Sequence, residues 1–182
     1  EQQVQLKRYI QAGGGFVGVH AAADTEYDWP WYNRLVGAYF DGHPADPNVR
    51  EGVLSVVDPD HEATRALPLT WTRTDEWYDF RAMNPDVHVL LTIDEASYRD
   101  AVRDAPHPVA WYHEIGGGRA FYTALGHTAE SYTEPAFLEH LWGGLDYAAG
   151  SRTGPDYSSP SVMPEENRFT KVVYDFNLTE PM

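Results

Sequence analysis

The chain has 182 residues, enough for one domain with a substantial core, and its 42% hydrophobic and 23% charged residues are typical of a folded domain. A formal net charge of −15 argues against nucleic-acid phosphates or anionic lipid as partners, and no apolar run is long enough to insert into a membrane. The absence of cysteine excludes disulfides, thiolate metal sites and a thiol nucleophile.

The first elements in chain order alternate between helical and extended patterns. Apolar residues on one face of residues 1–12 predict a helix that ends at the glycines Gly13–Gly15. Because the chain opens in this helix and no signal peptide precedes it, we expect a fragment of a longer protein. Phe16–Val19 is predicted to be a buried strand that ends at His20, and Pro30 is predicted to begin the next helix.

The remaining elements continue this alternation. The predicted strands are Gly52–Val57, Val87–Thr92, Val109–Glu114 and Ala120–Leu125. Gly116–Gly118 joins the last two strands as a hairpin. A final helix is capped by Thr133, and its apolar stripe consists of Phe137, Leu138, Leu141, Trp142 and Leu145. Interleaved helices and strands predict an α/β layered domain, in which ligands bind at the carboxyl ends of the strands.

The end of the chain differs in composition from the domain before it. Residues 150–166 are rich in Gly, Ser and Pro and are predicted to be a linker after a domain at 1–149. Residues 167–182 are predicted to begin a following domain, because Arg168–Asp175 alternates like a strand that cannot bury itself alone.

Several histidines stand where ligands are expected. His20, His113 and His127 lie at or just past the ends of predicted strands, and parallel strands would bring them to one edge of the sheet. His43 lies in a turn-rich loop and Glu76 in the acidic-aromatic stretch TDEWYDF. Neutral imidazole and carboxylate can bind a divalent ion or transfer protons near pH 7. The alternative is that these histidines are hydrogen-bonded structural residues.

The other histidines and the aromatic residues have simpler interpretations. Three histidines are assigned structural roles, namely His61, His88 and His140. The aromatic group Tyr27, Trp29, Trp31 and Tyr32 would either stack on sugar rings or pack a helix against the sheet.

Five segments in order resemble the ThuA-like (trehalose-utilisation) domain over residues 1 to about 150. They are residues 13–20, 42–44, 74–77, 107–113 and 118–127. The resemblance implies a flavodoxin-like, class I glutamine amidotransferase-like three-layer sandwich whose first strand, first helix and second strand would precede Glu1. His20 stands where the amidotransferase has its nucleophilic Cys, so thiolate glutaminase chemistry is excluded. His127 stands where the amidotransferase His would be, but Glu130 follows it by three residues instead of two.

The resemblance also implies a function related to carbohydrates. The expected catalytic set is His20, His43, Glu76, His113 and His127, with a sugar platform of Trp77 and Trp111. One histidine would take a proton from a keto-sugar or activate water, while a second histidine, or a divalent metal ion held by His and Glu, would stabilise the oxyanion. The metal ion is the one cofactor candidate, and its identity is unknown. The alternative is a non-catalytic module that binds sugar or docks a neighbouring domain.

The tail resembles the start of another known domain. Residues 167–182 are similar to the opening of the β-propeller of a bacterial glucose/sorbosone-type sugar dehydrogenase. This similarity implies an adjoining dehydrogenase domain as a partner, and export to the periplasm or cell surface.

Overall fold

The structure is a computed structural model, and it describes residues 1–100 and 105–150. The helices of the described part are α1 (Gln2–Gln11), α2 (Pro30–Val36) and α3 (Pro135–Ala149). Its strands are β1 (Gly15–Val19), β2 (Tyr39–Gly42), β3 (Val49–Val56), β4 (Thr70–Glu76), β5 (Asp79–Arg81), β6 (His88–Asp94), β7 (Pro108–Ile115) and β8 (Gly118–Thr123). The linker and the tail strand predicted after Gly150 lie outside the described residues. None of the described helices has the length and apolar character needed to cross a membrane.

The main sheet has six strands in the order β1-β8-β7-β6-β3-β4. β1 and β8 are parallel, and every other neighbouring pair is antiparallel. Helix α2 packs on one face, where the indole of Trp111 donates to the carbonyl of Val36 at 2.9 Å. Helix α3 packs on the other face, against Phe121. The predicted α/β class and the predicted hairpin of β7 and β8 are confirmed, and so is the flavodoxin-like layering.

Helix α3 approaches the sheet through two glycines as well as through Phe137 of the predicted apolar stripe, which is fully buried. A Cβ on Gly143 would lie 2.1 Å from the backbone oxygen of Glu62, and one on Gly144 would lie 2.4 Å from the ring of Phe121. The side chain of Trp142, a member of the predicted stripe, is 71% exposed. Close approach of backbone to neighbour requires the absence of a side chain, so the two glycines belong to the buried face together with Phe137 and His140.

The predicted cap of this helix is also wrong. The hydroxyl of Thr133 donates to the carbonyl oxygen of Glu130 at 2.8 Å, within the 3₁₀ turn that precedes the helix. Helix α3 instead begins at Pro135, whose missing N–H is not needed in a first turn. The carboxylate of Glu134 is turned away, toward the indole of Trp71 and the guanidinium of Arg73 on β4.

The sheet is curled, and this brings its two edge strands together. Five intervals of about 4.8 Å would separate β1 from β4 by about 24 Å in a flat sheet, and four would separate β8 from β4 by about 19 Å. Yet Asp75 on β4 accepts hydrogen bonds from the backbone N–H groups of Gly126 and His127, which follow β8, the neighbour of β1. The strand directions place the carboxyl ends of β1, β8 and β4 at the same edge, so polar residues after these three strands can meet.

Candidate active site

His20 occupies a strained turn at the end of β1. Its φ of 46° lies in the left-handed region, which a residue with a side chain rarely adopts. The hydroxyl of Tyr122 donates to the His20 carbonyl at 2.8 Å, and the chain then enters the 3₁₀ turn His20–Ala23. Such strain persists only where the surroundings enforce it, and it is frequent at functional sites. The turn projects the imidazole from the carboxyl end of the strand into the site.

The orientation of the His20 ring is fixed by a backbone carbonyl. Its Nδ1 lies 2.6 Å from the carbonyl oxygen of Ala124, and because that oxygen can only accept, Nδ1 carries a proton. The other ring nitrogen, Nε2, faces Glu76 Oε2 at 3.1 Å and His127 Nδ1 at 3.1 Å. The reactive nitrogen of His20 therefore points at a carboxylate and at a second imidazole.

Glu76 is the buried acid of the cluster. It ends β4, its side chain is 5% exposed, and its Oε1 accepts from the amide of Asn48. Burial opposes ionisation, but hydrogen bonds with His20 and Asn48, together with positive charge at the two histidines, outweigh it and lower the pKa of Glu76 to about 2. Glu76 is therefore an anion at neutral pH, and its Oε2 lies 3.2 Å from His127 Nδ1.

His127 is placed by a buried carboxylate on β4. Asp75 is fully buried and accepts from the N–H groups of Gly126 at 2.7 Å and His127 at 3.0 Å. Arg73 donates to the same carboxylate at 2.7 Å and so balances its charge. The His127 side chain is 37% exposed, so the cluster opens to solvent on this side.

His43 lies on the rim of the cluster. Its Nε2 is 3.6 Å from Glu76 Oε1, and its side chain is 36% exposed. Its Nδ1 lies 2.9 Å from the carbonyl oxygen of Pro44, so this nitrogen is protonated and Nε2 of the neutral ring carries a lone pair. The lone pair is available at the mouth of the site.

Three positioning residues around the cluster were not found from the sequence. Tyr78 packs its ring against His20 with 4.0 Å between ring centroids, and burial raises the pKa of its hydroxyl. Asp75 and Tyr78 flank Glu76 in the stretch TDEWYDF, so an acidic-aromatic run beside a candidate residue was an available signal. Asn48 had none.

The comparisons with known proteins identify the family. Residues 1–148 match the family described as ThuA, trehalose utilisation. The chain belongs to the ThuA family. A ThuA-like protein from Bacteroides uniformis ATCC 8492 is 25% identical with a TM-score of 0.67, over 85% of this chain and 64% of that protein. A ThuA-like protein from Parabacteroides merdae ATCC 43184 is 24% identical with a TM-score of 0.66, over 91% of this chain and 70% of that protein.

A more distant structure shares the fold. A cytoplasmic protein from Salmonella typhimurium is 16% identical with a TM-score of 0.53, over 79% of this chain and 58% of that protein. No curated protein sequence matches the chain significantly. The chain thus spans just under two thirds of the Bacteroides ThuA-like protein. Membership of the ThuA family supports a role related to carbohydrates.

The structure does not bring His113 of the ThuA domain into the cluster. β7 runs antiparallel to β8, and His113 is paired with Ala120 near the start of β8, at the edge of the sheet opposite to His127. Its Nε2 donates to the carbonyl of Arg34 at 2.8 Å, and burial lowers its pKa. The predicted hairpin itself forbids the predicted convergence, since only parallel neighbours end at the same edge.

The two tryptophans expected to form a sugar platform are buried. Trp77 and Trp111 are each 0% exposed, and their indoles donate to the backbone carbonyls of Arg50 and Val36. A ring without an exposed face cannot stack on a sugar. Their burial places both in the core, which corrects the expected platform.

The other two predicted aromatics are more accessible. Tyr27 is 39% exposed and donates to Asp24, just after the turn that holds His20. Trp29 is half-buried and stacks on Trp31, with 5.1 Å between ring centroids. Tyr27 has an exposed ring near the cluster in the chain, whereas Trp29 belongs to an aromatic stack at the start of α2.

Proposed function

We propose that this ThuA domain binds a keto-sugar or keto-disaccharide and moves protons on it at the cluster of His20, Glu76 and His127. The observation that carries the proposal is the meeting of three titratable side chains, from three distant segments, at the open carboxyl edge of the sheet. The family's link to trehalose utilisation supports the choice of substrate class.

The arrangement fits the abstraction of a proton next to a carbonyl. His43, with its exposed Nε2 lone pair, is the general base in this proposal, and it takes the proton from carbon. His127 faces solvent and donates to the oxygen that becomes negative. Glu76 is ionised and stabilises the positive charge that His127 carries as a proton donor. His20 and Asn48 hold Glu76 in place.

Exchange of the substrate proton tests this proposal directly. Oxidised trehalose in D₂O is incubated with the 182-residue chain, and loss of the proton signal next to the carbonyl is followed by NMR. We expect His43→Ala and His127→Ala to slow the exchange by about 10²–10⁴-fold, the usual contribution of one acid or base group. His88→Ala removes an exposed imidazole at the opposite edge and is the control. Exchange at the wild-type rate in both site variants would refute the mechanism.

A second candidate is a sugar-binding or docking module without catalysis. Exposed Tyr27 beside Asp24 favours it, because an aromatic face with a neighbouring carboxylate suits sugar hydroxyls. Calorimetry with disaccharides separates the two candidates: binding that Tyr27→Ala weakens, without any proton exchange, supports the module. An adjoining sugar dehydrogenase domain and export from the cytoplasm stay proposals, which the sequence of the complete reading frame tests.

A further inference from the structure

We propose that His20 Nε2, Glu76 Oε2 and His127 Nδ1 hold one divalent transition-metal ion. These three atoms are 3.1, 3.1 and 3.2 Å apart, and they form one of two groups of potential ligand atoms that the described part of the chain brings together. The inference does not depend on the substrate of the site, because it concerns only what the protein atoms can coordinate.

The ring nitrogens that face Glu76 are the ones that no backbone carbonyl occupies. Nδ1 of His20 is committed to the carbonyl of Ala124, so Nε2 is the nitrogen that faces the carboxylate. The same holds for His43, whose Nδ1 is committed to Pro44. Within the described residues, no Lys or Arg side chain forms a salt bridge with Glu76. An ion bound between these nitrogens and the carboxylate would supply a positive charge that neutralises Glu76.

The spacing of the three atoms suits a six-coordinate ion. Metal–nitrogen and metal–oxygen bonds are about 2.0–2.2 Å long. Atoms about 3.1 Å apart on such bonds subtend about 95° at the ion, near the 90° of three adjacent octahedral positions and below the 109° of a tetrahedron. The remaining coordination positions of such an ion would be left for water or substrate, because the His127 side chain is 37% exposed.

Each proposed ligand is already held by a second residue. The carbonyl of Ala124 fixes His20, the amide of Asn48 occupies the other oxygen of Glu76, and Asp75 anchors the backbone of His127. Partners of this kind orient metal ligands and select the coordinating nitrogen of histidine. Nε2 of His20 and Oε2 of Glu76 are the atoms that these partners leave unoccupied.

The second group of potential ligands differs from the cluster at Glu76 because an arginine side chain contacts it. Asp79, Glu95 and His107 also lie close together, but Arg99 donates to Asp79 at 2.8 Å. That group already holds a positive side chain beside its carboxylates. The contrast singles out the cluster at Glu76, where the positive partner has to come from the histidines or from an ion.

Two imidazoles and one carboxylate favour a first-row transition metal over Mg²⁺ or Ca²⁺, which prefer oxygen ligands. We therefore use Zn²⁺ and Co²⁺ as probes on the 182-residue chain after treatment with a chelator and dialysis. Calorimetry should show one ion per chain. The visible absorption of bound Co²⁺ should be weak, as for five or six ligands, and not intense as for four.

Variants locate the ion. His20→Ala, Glu76→Gln and His127→Ala should each weaken binding by about 100-fold or more, and Asn48→Ala by about 10–100-fold. His127→Ala is the decisive variant because its partly exposed side chain can be removed without opening the core, and far-ultraviolet circular dichroism checks that each variant is folded. His88→Ala should bind like the wild type.

Three results would overturn the metal site: no saturable binding by the wild type, equal binding by the wild type and His127→Ala, or loss of binding in His88→Ala. Nitrogen chemical shifts of His20 unchanged on addition of Zn²⁺ would also count against it. The proton-exchange assay, repeated with and without Zn²⁺, is read separately. Ion binding without proton exchange refutes the proposed sugar chemistry and supports the metal site. Proton exchange without ion binding refutes the metal site and supports the sugar chemistry.

Discussion

Replacing Asp75 by Asn should destabilise the fold and loosen the site together. The two oxygens of Asp75 accept four hydrogen bonds, from the backbone N–H groups of Glu76, Gly126 and His127 and from the guanidinium of Arg73. The side chain is fully buried, so water cannot replace a lost partner. An asparagine amide keeps one oxygen and turns an NH₂ group toward two of these four donors.

The expected loss follows from these contacts. Two hydrogen bonds to an ionised acceptor are worth about 1.5–3 kcal/mol each, and breaking one side of a buried ion pair costs about 3–5 kcal/mol. Because the two figures describe overlapping contacts, we expect a fall of about 3–5 kcal/mol in the free energy of unfolding. A domain with a stability near the middle of the typical range, about 10 kcal/mol, then remains folded but weakened.

Urea unfolding followed by tryptophan fluorescence measures this change, and an unchanged slope with denaturant would show that the unfolded state is unaffected. Asp60→Asn, at an exposed aspartate, is the matched control and should change the stability by about 0.5 kcal/mol or less. A loss below about 1 kcal/mol in Asp75→Asn would refute the view that this carboxylate fixes the loop after β8 to β4.

Other substitutions test the core around the site. Burial lowers the pKa of His140 to about 4 from 6.5, so below pH 6.5 the unfolded chain binds a proton that the folded chain does not. The free energy of unfolding should therefore fall by about 3 kcal/mol as the pH drops from about 6.5 to 4. Urea unfolding across this pH range should show a smaller fall in His140→Gln. Gly143→Ala should lower stability by about 1–3 kcal/mol in thermal unfolding, because its Cβ meets the backbone of residue 62, and a stabilised variant would contradict the packing of α3. Trp111→Ala should cost about 3–5 kcal/mol and Trp142→Ala, at an exposed ring, almost nothing; equal losses in denaturant titrations would contradict their burial.

Hydrophobic patterning predicted the sheet where buried side chains are apolar and missed it where they are charged. Phe16–Val19 was predicted as a strand from its apolar run, and it forms most of β1. β4 alternates in the same way, with Trp71, Arg73 and Asp75 inward, but two of these three are ions. Arg73 and Asp75 neutralise each other, so they can be buried without an apolar side chain. A scale that equates burial with hydrophobicity cannot detect such a strand.

The outcome for the histidines shows which information the sequence lacks. Position at the end of a strand was enough to select His20 and His127, because β1 and β8 run parallel and end at one edge. The same criterion selected His113, whose strand runs the other way. Strand direction relative to the site is therefore as necessary as the type of residue, and for His113 it was already implied by the short glycine turn that makes β7 and β8 a hairpin.

Glu76 reaches the cluster because of the shape of the whole sheet and not because of its neighbours in the sequence. It ends the strand farthest from β1 in the order of the sheet, so its approach to His20 depends on the curl of all six strands. That curl is held at the site by Asp75, the residue before Glu76, through its bonds to the loop after β8. The adjacent residues Asp75 and Glu76 thus have different roles. Asp75 links β4 to the loop after β8 and is neutralised by Arg73, whereas Glu76 faces the imidazoles of His20 and His127. The closure brings His20 and His127 to Glu76, which has no Lys or Arg partner among the described residues, and it makes the charge of Glu76 available for a proton or a metal ion.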